Sequence, residues 1–449
     1  MTEHLNTFGH VSQYILIFLA VPIGVLVGLL PGLGALLAMV LLYPLLDSFD
    51  FYTIIIFYAV LVNAKEFSGS VAALNFNMLG EITSAPVLKE RKIILKNGLQ
   101  MAALRNTMLA SLIGVFFGIV ILFFSIWQAK QYPWLLTTKA MGIFLMTMLI
   151  FLIFWSNNKW WVNILLMLAG WAAGRIGVDF VFDHGNYFSN FLTFGNVYLA
   201  GGLPYMSVVF GVYAVPRIFQ IYNQSYTTSS KFQNQAATNL PWMPSLRGSM
   251  VGSLLGLVPF IGTMVNSNFA YGLEKSFFSR KENALSAMKR IASSESANNA
   301  GQVTVLIPLL ILGLAAQPSE VVLLDLIINQ QWTMATTLNL DFVLSLCFFL
   351  VFACLITGMI CYIFVEKTLI FFHKHVNKVL YFLVAICMGS IGFQGYKMDQ
   401  TIYFFIVFMI SVFVGFILQR KNIDTLPLIM LLLLENNLSH VILRLLALY

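Results

Sequence analysis

The chain has 449 residues, of which 59% are hydrophobic and only 10% charged, and its mean hydropathy is +0.85. No soluble domain has an interior large enough for that much apolar side chain, so the composition excludes a water-soluble protein and specifies a polytopic membrane protein. The net charge of +7 is read as Lys and Arg retained in cytoplasmic loops, not as a nucleic-acid footprint.

Residues 1–10 hold no Lys or Arg, and the apolar run that follows at 11–30 is too long for a cleaved leader, so it is expected to stay as a first span. Further apolar stretches fall at 107–126, 135–155, 198–219, 342–372 and 401–418. Counting shorter and broken segments, about ten to twelve crossings are expected.

Within the first run stand Gly24, Gly28, Pro31 and Gly34, and the set recurs as Gly252, Gly256, Pro259 and Gly262 at a constant offset of 228 residues. Glycine and proline interrupt helices, so both copies are expected to be broken membrane helices. Paired interruptions in two halves of a membrane protein mark the binding site of a carrier. Each copy is followed by a second small and polar element, at 68–86 and at 298–319, in which Leu79-Gly80 pairs with Leu312-Gly313 at an offset of 233.

Loop charge orients the copies. After the first broken helix, residues 47–51 hold no Lys or Arg, whereas the equivalent second loop holds Lys275, Arg280, Lys281, Lys289 and Arg290. After the second element the pattern reverses: Lys89, Arg91, Lys92, Lys96 and Arg105 follow the first copy, and residues 325–341 have none. Equivalent loops on opposite sides make an inverted-topology repeat. The expected organisation is a first repeat at 1–126 (broken helix plus hairpin), connecting membrane helices at 127–219, a polar linker at 220–246, the inverted second repeat at 247–341 and C-terminal membrane helices at 342–449.

The inner end of a broken helix exposes unpaired backbone N–H groups and a positive dipole, which suit an anion. Pro31, Gly32, Gly34, Pro259 and Gly262 are assigned to such ends, while Gly24/Gly28 and Gly252/Gly256 read as close helix packing. Asn75, Asn77, Asn298, Asn299 and Gln302 lie among apolar neighbours, where an unpaired amide is costly, and amides donate to a carboxylate without adding charge. Gly80 and Gly313, at equivalent places in the two second elements, are counted among the candidate substrate-binding residues. Ser68, Ser70, Thr83, Ser84, Thr304 and Ser319 add hydroxyls that donate to a ligand or bond back to their own helix, the second being the commoner use of a single hydroxyl. Glu295, and Glu66 in a loosely similar place, serve either as caps or as Na+ or H+ coupling residues, with Asn266 and Asn268 further intramembrane candidates.

Cys347, Cys354 and Cys361, spaced seven apart, read as small residues on one helix seam; with Cys387 they form no CxxC pair and no metal site. GxSxG, HExxH and GxxxxGK[ST] are absent, which leaves a familiar hydrolase or a nucleotide-driven pump without support, and a membrane-embedded enzyme is a weak alternative because Glu295 has no evident His or metal-ligand partner.

The stretch GVLVGLLPGLGALLAMVLLYPL at 24–45 resembles the GxxxGxxPGLGA motif of the large membrane subunit of tripartite tricarboxylate transporters, the TctA family. SLRGSMVGSLLGLVPFIGT, FAYGLEKSF and SSESANNAGQVTVLIPLLILGL are similar to that family's RGxxxGxxPGxG, AYxLEK and PEAANNA elements, in order, and segments 191–215 and 425–442 are also similar. The resemblance implies an all-α, multi-pass protein of the bacterial cytoplasmic (inner) membrane that carries carboxylates on a Na+ or H+ gradient. It implies two partners, a small four-helix membrane subunit and a periplasmic solute-binding protein, no other cofactor and no nucleic acid. It places the site at residues 31–34, 77–80, 259–262, Asn298-Asn299 and Gly313. The chain departs from the family at Phe260, where a glycine is usual, and at Asn77-Met78-Leu79-Gly80, which lacks the family's proline. These changes bear on the substrate more than on the fold, and a non-transporting partner of the same fold is the other reading.

Overall fold

The structure is a computed structural model, and it describes residues 7–30, 33–76, 82–131, 138–155, 158–177, 192–200, 202–222, 241–259, 261–329, 340–363 and 365–435. Every regular element among them is helical, and none is a strand. In order they are α1 (Thr7–Leu29), α2 (Gly34–Leu46), α3 (Phe51–Phe76), α4 (Ala85–Lys96), α5 (Gln100–Gln131), α6 (Thr138–Trp155), α7 (Trp160–Arg175), α8 (Val197–Ala200), α9 (Tyr205–Val209) and α10 (Val215–Tyr222). There follow α11 (Trp242–Gly256), α12 (Ile261–Leu273), α13 (Ala284–Thr304), α14 (Leu306–Leu312), α15 (Pro318–Asn329), α16 (Leu340–Ile363), α17 (Val365–Lys397) and α18 (Thr401–Arg420).

Four helices are long and apolar enough to cross a bilayer (within α3, α5, α16 and α18), and four shorter apolar helices accompany them among the described residues. On α5, α16 and α18 the apolar side chains point outward: Phe116, Phe348 and Phe413 are 66%, 64% and 69% exposed. Such faces are stable only against lipid, so the protein is an all-α polytopic membrane protein.

The helices fall into two compact units. The first comprises Met1–Ala38, Leu45–Leu136 and Ser225–His375, and so holds both Gly/Pro motifs. Both motifs break a helix as expected: α1 ends at Leu29 and α2 starts at Gly34, and α11 ends at Gly256 and α12 starts at Ile261. Gly34 opens α2 at φ +58°, a left-handed conformation that only glycine adopts cheaply.

The two copies pack alike. A Cβ added at Gly24 would come within 2.4 Å of the Leu61 carbonyl oxygen and one at Gly28 within 2.2 Å of that of Lys65, so α1 lies backbone to backbone on α3. In the second copy the same test sets Gly252 2.0 Å from the Ala297 oxygen and Gly256 2.6 Å from that of Gly301, so α11 lies on α13 in the same way. The packing reading of these four glycines therefore holds. Residues 61 and 297, 65 and 301, and 68 and 304 thus correspond at an offset of 236 rather than 233 along these helices.

Helix α13 is the core of this unit. It begins at Asn283, whose side chain accepts from the Ser286 N–H at 2.9 Å. Its sequence is rich in Ala, Ser, Asn and Gly, yet nearly every residue is buried, because small side chains let α5, α11 and α12 approach its backbone. Gly114 of α5, for example, leaves room for only 2.4 Å between an added Cβ and the Ser296 oxygen. Arg290, expected in a loop, is instead a fully buried residue of α13.

The second unit comprises Met39–Pro44, Thr137–Gln224 and Val376–Tyr449. Its helix α18 packs on a π-helical turn, Phe210–Ala214, through Gly211 and Gly415. A helix at Leu426–Glu435 lies on α7 through Gly170, and Arg175 pairs with Glu435 at 2.9 Å. Asn158 ties the ends together, donating to the Asp424 carbonyl and accepting its N–H, both at 2.9 Å.

Candidate functional site

Helix α3 is apolar over most of its length, and the whole of its most hydrophobic window is buried. It nevertheless carries Tyr58, Asn63, Lys65, Glu66 and Ser70, all buried. Polar and charged residues at that depth require partners, and for Tyr58, Lys65, Glu66 and Ser70 these come from one another, from α13, from Thr83 and from residues 317–319.

The first cluster surrounds Glu66. Its Oε1 pairs with Lys65 Nζ at 2.6 Å and accepts from Gln302 Nε2 at 2.9 Å. Its Oε2 accepts from Thr83 Oγ1 and from Asn298 Nδ2, each at 2.8 Å. Gln302 continues outward: Gln317 Nε2 donates to its Oε1 at 3.4 Å and to the Tyr58 hydroxyl at 2.6 Å, and Tyr58 shares a 2.9 Å hydrogen bond with Ser319. Glu320 closes this end by accepting the Ala316 N–H at 2.7 Å, just ahead of α15.

The second cluster surrounds Glu295. Ser70 donates to its Oε2 at 2.5 Å, and Ser111 and Asn299 donate to its Oε1, both at 3.2 Å. Asn299 also donates to the Ser111 hydroxyl at 2.9 Å and to the Glu295 carbonyl at 3.0 Å. Three helices meet here, since Ser70 is on α3, Ser111 on α5 and the others on α13. Adjacent asparagines thus serve different carboxylates. The carboxamide oxygens of Asn298 and Asn299 are buried and accept no hydrogen bond among the described residues, and neither polar atom of Asn63 has a partner there.

A third cluster stands at the start of α13. Arg290 Nη2 pairs with Glu90 at 2.7 Å and with Glu282 at 3.1 Å, and its Nη1 donates to the carbonyls of Ser279 and Lys281 at 2.9 and 3.1 Å. Tyr271 donates to the other oxygen of Glu90 at 2.7 Å. Arg247 forks onto Glu274 at 2.8 to 3.0 Å and its guanidinium lies 4.0 Å over the Phe278 ring. These bonds join α4 of the first repeat to α12 and α13 of the second.

Of the residues singled out from sequence, Asn298, Asn299 and Glu295 lie in the first two clusters, and Ser319 joins the first through Tyr58. Asn75 lies outside both clusters, donating to the Val71 carbonyl of its own helix at 2.8 Å and accepting from Gln100 of α5. Asn266 donates to the Ala297 carbonyl at 3.2 Å, on the same helix as Glu295, but the carboxylate has the partners named above. Ser84 is buried just before α4, with no partner for its hydroxyl among the described residues. Pro259 is buried after α11, Gly262 lies in α12, and Gly313 caps α14 at φ +66°. Ser68 and Thr304 bond back to their own helices, as a single hydroxyl is expected to do. Pro31, Gly32, Asn77 and Gly80 lie outside the described residues.

Sequence reasoning missed Lys65, Tyr58, Gln317 and Glu320. The signal was present: a Lys-Glu pair inside an otherwise apolar helix is a functional-site marker in itself. Among the described residues no three His, Cys, Asp or Glu side chains are grouped to hold a metal.

This is a polytopic helical membrane protein whose two repeats meet at buried carboxylates and carboxamides. Residues 14–430 match the family described as Tripartite tricarboxylate transporter TctA family, and the chain belongs to it. It is also 28% identical over 316 residues to a protein of Agrobacterium vitis described as an uncharacterized 52.8 kDa protein in the TAR-I ttuC' 3' region. That match covers 67% of this chain and 61% of the relative. No solved structure matches the chain.

Proposed function

We propose that the chain is the large subunit of an ion-gradient-driven carrier that imports a small organic anion, of the di- or tricarboxylate kind, across the bacterial cytoplasmic membrane. It takes the anion from a periplasmic solute-binding protein and works beside a small four-helix membrane subunit, the partners that family membership implies. The supporting observation is the Asn298-Asn299 pair, buried on α13 and joined to carboxylates at the meeting of the two repeats. Amides and hydroxyls there bind carboxylate groups, and Glu295, ringed by Ser70, Ser111 and Asn299, takes the coupling Na+ or H+. With the repeats inverted, one helix group moves against the other to give alternating access.

The test is uptake of labelled succinate and citrate into proteoliposomes holding the chain and its two partners, under an imposed Na+ or H+ gradient. Gradient-driven uptake supports the carrier; no uptake of either by folded protein rejects it for these substrates. Phe260, in place of a glycine at the second break, favours the other reading, a non-transporting membrane partner of the same fold, and that reading predicts binding-protein capture without uptake.

A further inference from the structure

Both oxygens of Glu66 carry two donors each, the full complement of a carboxylate. The donors come from three places: Lys65 from α3, Thr83 from the turn before α4, and Asn298 and Gln302 from α13 of the other repeat. One ammonium, one hydroxyl and two carboxamides form a site for any carboxylate, and nothing in the set is particular to a glutamate side chain.

We infer that Glu66 is a resident anion occupying the subsite for a substrate carboxylate, and that the substrate enters by displacing it from Lys65, Thr83, Asn298 and Gln302. This rests on the carrier reading above. Lys65 supplies one positive charge, which Glu66 balances. A second carboxylate in the same place has no countercharge, and an unpaired buried charge is strongly unfavourable. Displacement of Glu66 therefore requires a further cation, the proton or Na+ assigned above to Glu295, so that one cation accompanies each carboxylate admitted. Among the described residues, Glu295 of α13 and Tyr58 of α3 also interact electrostatically with Glu66. Neither supplies a positive charge, so neither removes the need for the cation. In this arrangement the coupling follows from competition between two anions for one donor set.

If instead Glu66 only ties the repeats together, removing it weakens the protein and gains nothing for a ligand. Titrating acetate, succinate and citrate, against matched NaCl, onto the purified full chain separates the two. The expected result is that Glu66→Gln and Glu66→Ala bind succinate or citrate at least tenfold more tightly than the unaltered chain. Folded Glu66 variants with equal or weaker affinity for all three probes overturn the inference. Should neither variant fold, Glu66→Asp decides, since it keeps all four donors and shortens only the resident anion: tighter binding of succinate or citrate by the folded variant sustains the subsite, and equal or weaker binding overturns it. Tighter binding in Glu66→Gln without uptake by the unaltered chain rejects the carrier and keeps the subsite; uptake without tighter binding does the reverse.

Discussion

Glu66 and Gln302 occupy equivalent positions in the two repeats, and they are hydrogen bonded to each other at 2.9 Å. The equivalence follows from the glycine contacts, in which Lys65 corresponds to Gly301. The pair lies where the two copies meet, one member keeping a charge and the other a neutral amide.

That asymmetry is testable by moving the charge. Gln302→Glu sets two carboxylates against one Lys65 and should cost about 3–5 kcal/mol, as breaking a buried pair does. The double change Glu66→Gln with Gln302→Glu restores one acid and one amide, and should recover part of the loss. Thermal unfolding of the four proteins gives the coupling energy, expected at roughly 0.5–3 kcal/mol; additive losses would show that the two residues do not interact.

The glycine contacts make a second prediction. Gly252→Ala drives a methyl to 2.0 Å from the Ala297 carbonyl oxygen, and Gly24→Ala one to 2.4 Å from that of Leu61. Both obstacles are backbone, so the helices must part. Each change should lower stability by about 1–3 kcal/mol or more. Gly272→Ala on α12, where an added Cβ meets nothing within 4 Å, should be neutral or stabilising by up to about 1 kcal/mol. Equal melting temperatures for Gly252→Ala and Gly272→Ala would contradict the packing.

The breaks and the glycine seams were legible in the sequence because they depend on Gly and Pro, whose conformational effects are local. The carboxamides of Asn298 and Asn299 were legible as costly polar groups in an apolar setting. What Asn298 binds was not, since Glu66 is 232 residues away and only the fold brings it near. Asn75 differs: its setting looked the same in sequence, but its amide donates to the i−4 carbonyl of its own helix and its oxygen accepts from Gln100 of α5, away from both carboxylates. Arg290 was misjudged for another reason. Loop charge counts assume that basic residues between apolar runs are solvated, and α13 is a polar helix that is buried.

Arg290 leads to a third prediction. It is fully buried, and its nearest carboxylate, Glu90, is nearly so, so Glu90→Gln leaves a buried guanidinium short of countercharge. The cost should be about 3–5 kcal/mol. Tyr271→Phe removes one hydrogen bond to the same carboxylate and should cost about 1.5–3 kcal/mol. If Glu90→Gln proves no worse than Tyr271→Phe in thermal unfolding, Arg290 does not depend on Glu90 for its charge balance.

The exposed member of that cluster gives a pH prediction. The Lys275 ammonium first, and then Arg290, hold the Glu282 carboxyl below its ordinary value. A group whose folded value is lowered stabilises the fold at pH above its unfolded value, and loses that contribution as pH falls through the folded one. The stabilisation from Glu282 is therefore full at neutral pH and fades only in acid, below the usual carboxylate range. Because the side chain is solvated, the effect is small and screened by salt. At low ionic strength Glu282→Gln should lower the neutral-pH melting temperature slightly, by the small amount that the unaltered chain loses in acid, and so flatten the acid-side slope. A loss of several degrees at neutral pH would mean that Glu282 carries the buried arginine.

The neighbouring asparagines divide the work of the proposed site. Asn298 donates to Glu66, within the set assigned to the substrate carboxylate, whereas Asn299 donates to Glu295 and Ser111, within the set assigned to the ion. Asn298→Ala removes one of four donors to a carboxylate: if the substrate alone loses that bond, KM should rise about tenfold, since a hydrogen bond to a charged group is worth roughly 1.5–3 kcal/mol, whereas displacement of Glu66, which loses the same donor, gives a smaller rise. Its dependence on the coupling ion should change little. Asn299→Ala frees Ser111 and one oxygen of Glu295, and should shift the ion concentration for half-maximal uptake by about tenfold with a smaller effect on substrate KM. The two side chains are adjacent on one helix and equally buried, so a general disturbance of α13 would affect both parameters alike in both variants. Opposite patterns in the two variants require two separate sites, served by consecutive residues of the same helix.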